Sequence, residues 1–65
     1  LLEEDLAGQA KAQHFAATIV AMRGDLPDAV LELQAALDLA RRADAPSIES
    51  GCLGELAGVN FLLGD

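Results

Sequence analysis

Few residues in this chain are of a type that does chemistry. Histidine is the one side chain that ordinarily titrates near neutral pH, and the sequence holds one, His14, together with one cysteine, Cys52. His14 shares i, i+3, i+7 spacing with Lys11 and Thr18, which marks the polar side of a helix. A general base needs a partner held against it. No neighbour in the sequence supplies one, so His14 is expected to be an exposed structural residue. Cys52 lies among apolar residues and is expected to be a small buried hydrophobe, since reactive thiols need an electropositive, accessible setting. A zinc site needs about four ligands, and one Cys with one His falls short. Glu3, Glu4 and Asp5 form an acidic run that is expected to be solvated. It lacks the alternating oxygen ligands and central Gly of a calcium loop. Asp25, Asp28 and Asp65 are read as helix caps, and Met22 as a filler of the core. No glycine-rich phosphate loop or nucleophile motif occurs. No catalytic, metal-binding or cofactor-binding residue is therefore expected, and the chain is not expected to be an enzyme.

The elements that position these residues follow from composition. The chain has 65 residues, 52% apolar and 23% charged, with two Phe and no Trp or Tyr. Ala and Leu dominate, and both are strong helix formers. An all-α fold is expected. A chain this short buries only ~60% of its unfolded surface. It needs a disulfide, a metal, a second copy or more chain to be robust. The lone cysteine removes the first and fits a reducing, cytoplasmic setting. The net charge is −7, and the four cations, Lys11, Arg23, Arg41 and Arg42, form no stripe. Direct nucleic-acid binding needs clustered Lys and Arg and is not expected. No run approaches the ~20 apolar residues of a membrane span, so no membrane partner is expected either.

The middle segment, GDLPDAVLELQAALDLARRADAP, is the clearest helix. Asp25 is a candidate N-cap, with Pro27 in the first turn and Asp28 three residues on. Apolar residues recur at Leu26, Ala29, Val30, Leu33, Ala36, Leu37 and Ala40, which predicts a helix over 26–43 with one buried face. Asp38 and Arg42 make an i,i+4 pair, and Arg41 and Arg42 complement the dipole. Upstream, residues 15–22 are apolar except Thr18. That helix is expected to be buried on most sides, with Phe15, Ile19 and Met22 packed against Ala29, Leu33 and Ala36. Gly24 is expected at the C′ position with a positive φ. Residues 1–9 are left open as an earlier helix, a loop or an extension, although Gly8 weighs against the extension. A third helix is expected from Ser47 as N-cap, with Gly51, Gly54 and Gly58 on one face. Each Gly costs ~1 kcal/mol against Ala, and close approach by a neighbouring helix is the expected compensation.

Gly24-Asp25 recurs as Gly64-Asp65, 40 residues later. Helix pairs repeating at 34 to the mid-40s mark α-solenoids. The chain resembles the tetratricopeptide repeat. The resemblance covers residues 10–65: small Ala17 and Ala57 where helices cross, Gly24 and Gly64 at corners, and Ala29 and Ala36 with Leu33 between them. Gln13 and Leu53 stand where that family often has a large aromatic, and Val20 and Asn60 where it often has Tyr. The 40-residue period is similar to the longer variant in large bacterial signalling and transcription regulators.

The resemblance implies one and a half repeats of an antiparallel helical-hairpin solenoid, forming a single unit over 1–65 and a fragment of something longer. The absent initiator Met and the final Gly-Asp, which should open a fourth helix, are read the same way. It also implies a protein–protein interaction scaffold whose partner is a protein or peptide. The alternative is a small self-associating domain that docks or dimerises a larger protein. The expected interface is the third helix, at Ile48, Gly51, Gly54, Leu56, Gly58, Phe61 and Leu62, with an apolar patch left open for a second copy or a partner helix.

Overall fold

A computed structural model describes residues 5–64. They form three helices, α1 (Leu6–Met22), α2 (Leu26–Arg42) and α3 (Pro46–Leu63), with no strand among the described residues. No helix there is long and apolar enough to cross a membrane. Asp65 and the acidic pair Glu3 and Glu4 lie outside the described residues.

Helix α1 begins at Leu6 and includes Gly8, which weighed against an extension. Asp5 is not merely solvated, because its carboxylate accepts from the Gly8 N–H at 3.2 Å and caps the helix. Gly8 permits this close cap, since a Cβ there would lie 2.5 Å from Asp5 Oδ1. Asp25 occupies the N-cap position of α2 but makes no side-chain cap bond. Pro27 has no N–H to offer, and the next donor belongs to Asp28, whose own carboxylate repels a second one. Ser47 is not the cap of α3. Ala45 holds that position, and Pro46 begins the helix, where its missing N–H is harmless.

The two corners share one geometry. After α1, the Gly24 N–H donates to the Ala21 carbonyl (3.0 Å) and the Asp25 N–H to the Val20 carbonyl (3.3 Å). After α2, the Asp44 N–H donates to Arg41 (3.2 Å) and the Ala45 N–H to Ala40 (2.9 Å). Both are Schellman closures, which need a left-handed residue at C′. Gly24 (φ 88°) and Asp44 (φ 53°) supply it, and Gly64 (φ 89°) adopts the same conformation after α3, so the left-handed residues recur every 20 positions. Glycine adopts this conformation freely, whereas Asp strains to do so. Asp44→Gly should therefore raise stability by about 0.5 kcal/mol, and Gly24→Val should lower it by about 1–2 kcal/mol. Urea unfolding of the two variants checks both signs.

The molecule measures 41 × 19 × 13 Å. A 17-residue helix is only ~26 Å long, so the helices are crossed or staggered rather than aligned flush. Helix α2 is central and packs on both neighbours, while α1 and α3 meet over a small area. The core is thin, and five of its nine buried apolar residues are alanines. Ala17, Leu33 and Val59 form one cluster; Ala36, Leu37 and Cys52 form a second; Leu56 packs against both. Ala29, Leu33 and Ala36 face inward as the α2 periodicity predicts.

The expected partners on α1 do not. Phe15 is 68% exposed and Met22 80%, so Met22 is no core filler, and Ile19 is exposed as well. Instead α1 turns Ala10, Gln13, Ala17 and Ala21 inward. Residues two apart on a helix point ~200° away from each other, so burying Ala17 sends Phe15 and Ile19 outward. The small face wins because it lets α2 come close.

Candidate functional site

Each pair of helices is joined by one polar tie. Gln13 on α1 donates to Glu32 on α2. Arg41 Nε on α2 donates to Glu49 Oε2 on α3 at 3.1 Å. The third tie joins α1 to α3 and uses the residues singled out for their chemistry. His14 Nε2 lies 2.9 Å from Glu55 Oε2. The Thr18 hydroxyl lies 3.1 Å from Glu55 Oε1 and 3.1 Å from the His14 carbonyl. Its single proton serves one acceptor at a time.

His14 is thus half-buried and partnered, not an exposed residue. Sequence reasoning missed Glu55, and a signal was present. It is the only charged residue between Ser50 and Gly64, and a carboxylate alone in an apolar stretch needs a donor. His14 and Thr18, one turn apart on α1, are that pair. The site also explains Gly51. A Cβ there would lie 3.1 Å from His14 Cε1, so glycine leaves room for the ring.

A histidine oriented by a carboxylate is the arrangement of a general base, but the Thr18 hydroxyl beside it is already engaged by the His14 carbonyl and Glu55. No cavity opens beside it among the described residues. The geometry ties α1 to α3. Cys52 is fully buried, as expected. Burial, and then the nearby charge of Glu55, push its thiol pKa up, which keeps it protonated and unreactive.

The second feature is the apolar surface of the two flanking helices. On α1, Phe15, Ile19 and Met22 recur at i, i+4, i+7 and form one outward stripe. On α3, Ile48, Cys52, Leu56 and Val59 turn toward the core. Ile48 and Leu56 are therefore packed rather than free for an interface. The opposite side carries Leu53, Phe61 (82% exposed) and Leu62 (68%). Ala57, expected at a helix crossing, is exposed. Gly54 and Gly58 face open space, so close approach within this molecule explains neither of them. Of the expected interface, the structure brings Gly54, Gly58, Phe61 and Leu62 onto one outer surface, together with Leu53 and Ala57.

Compared with protein-family models, curated proteins and solved structures, the chain matches none of them.

Proposed function

We propose that this unit is a protein–protein interaction scaffold of the tetratricopeptide-like kind, a segment of a larger regulatory protein working in a reducing, cytoplasmic setting. One observation carries it: both flanking helices turn large apolar side chains to solvent, Phe15 and Met22 on α1, and Leu53, Phe61 and Leu62 on α3. Exposed apolar stripes of this kind on a small domain mark a binding face. The 20-residue recurrence of left-handed corners supports a repeated helical hairpin. The chemistry of the surface suits a protein or peptide partner, since apolar side chains at helical spacing are what a partner helix contacts.

A photo-crosslinking amino acid placed at Phe15, Met22 or Phe61, and as a control at exposed Gln34 on α2, tests this in the cells that make the protein. Adducts with other polypeptides are expected at the first three positions and not at Gln34. Equal yields at all four, or none at the apolar positions, would remove the basis for the proposal.

A further inference from the structure

Helices α1 and α3 start 40 residues apart, at Leu6 and Pro46, and each ends in a left-handed glycine, Gly24 and Gly64. Positions on one map onto the other by that shift. The α1 stripe that receives α2 contains Gln13, Ala17 and Ala21. Gln13 bonds to Glu32, and the two alanines pack with Leu33, Leu26 and Val30. Shifted by 40, these positions are Leu53, Ala57 and Phe61. All three are exposed and apolar, and Ser50, the counterpart of Ala10, extends the stripe with a polar but uncharged residue. The two acids of α3 point elsewhere, Glu49 to Arg41 and Glu55 to His14. The outer face of α3 therefore repeats the place where α2 sits on α1, with nothing among the described residues lying on it.

We infer that this face docks an amphipathic helix with the pattern of α2, running antiparallel to α3. The inference rests on the interaction function proposed above and names its partner. The α1–α2 contact sets the register. There Leu33 packs over Ala17, in the same cluster as Val59. The equivalent large residue of the partner sits over Ala57. Small residues one turn to either side, the counterparts of Ala29 and Ala36, face Phe61 and Leu53. Large and small alternate on both surfaces, which lets them interlock. The stripe on α3 is uncharged, so the contact stripe of the partner must be uncharged too, because an unpaired charge there is costly. A second copy does not meet this requirement. Its α2 already buries Ala29, Leu33, Ala36, Leu37 and Ala40, and the exposed stripe of its α1, Phe15, Ile19 and Met22, is large at all three positions, with no small residues to face Leu53 and Phe61.

A synthetic peptide of residues 25–43 carrying Glu32→Ala, which removes the carboxylate that bonds Gln13 on α1 and would face Leu53 here, is the probe. It is titrated into the isotopically labelled 65-residue chain and followed by NMR. Saturable shifts are expected at Leu53, Ala57 and Phe61. Ala57→Glu in the chain should weaken binding at least ~10-fold, as for a charge set at the centre of an apolar contact, and its exposed position spares the fold. A Leu33→Asp peptide should not bind. Shifts confined to Ala12, Ala16 and Ile19 would overturn this site while leaving the scaffold function standing. So would the absence of shifts. Shifts at Leu37 and Cys52 would mean that the peptide replaces α2 instead, and would also overturn it. Shifts at the α3 face that grow with protein concentration before any peptide is added would assign the face to a second copy and overturn the partner named here.

Discussion

Leu33→Ala should cost about 3–4 kcal/mol, in the middle of the range for buried Leu-to-Ala changes, and should leave the chain only marginally folded at room temperature. Leu33 is fully buried and is, with Cys52, one of the two largest side chains completely buried. It joins all three helices, packing in one cluster with Ala17 of α1 and Val59 of α3. The cost depends on whether neighbours fill the hole. Here Leu33 packs in one cluster with Ala17, Ala21, Leu26, Val30, Leu56 and Val59; the two alanines have no atoms to move into the hole, so part of the cavity persists. A domain this small starts from the low end of folding stability, ~5 kcal/mol. By comparison, the polar tie of His14 to Glu55 is partly exposed, and such pairs contribute only ~0–1 kcal/mol; Leu33 outweighs it. Urea unfolding followed by circular dichroism measures the difference, with exposed Leu31→Ala as control, expected within ~0.5 kcal/mol of the parent. Similar small losses for both variants would show that the three helices do not share the core described.

The second large effect separates two alanines that look alike in the sequence. Ala17→Leu should destabilise by about 2–3 kcal/mol, because a tightly packed position has no room for three added carbons. Ala57→Leu should change stability by less than ~0.5 kcal/mol, because exposed sites away from caps and cores tolerate substitution. Ala17 is fully buried where α1, α2 and α3 converge, whereas Ala57 is exposed on the outer side of α3. Thermal unfolding of the two variants in one buffer tests the pair. Equal losses would mean that Ala57 is covered as Ala17 is; no loss at Ala17 would mean that the helices do not meet there.

Much of the architecture was legible in the residues. For α2, apolar positions at 26, 29, 30, 33, 36, 37 and 40 alternate with Asp28, Glu32, Gln34, Asp38 and Arg41. Only one side of such a helix can go inward, and its extent, its buried set and the Asp38–Arg42 pair (3.6 Å) followed. Gly24 was legible for a different reason: it follows an apolar run and precedes Asp-Leu-Pro, and a chain that must reverse there needs positive φ. Asp44 was not legible, because its identity gives no signal for a left-handed residue. It adopts φ 53° because the closure after α2 demands it.

For the flanking helices, local pattern stopped short. Residues 15–22 are apolar almost throughout, and α3 carries apolar or small residues on every side, so no periodicity chose a face. Packing chose it. Close approach to α2 favoured the Ala10–Ala17–Ala21 side and left Phe15 and Met22 in solvent. The same packing turned His14 and Thr18, polar residues that pattern assigns to water, toward Glu55. The sequence by itself determined that three helices form, where they turn, and which side of α2 is buried, because these depend on neighbours within a few residues. The tertiary structure alone decided which sides of α1 and α3 meet α2, which of Ala17 and Ala57 lies at a crossing, and which apolar side chains remain for a partner. These depend on contacts between residues tens of positions apart, whose relative fit no local pattern encodes.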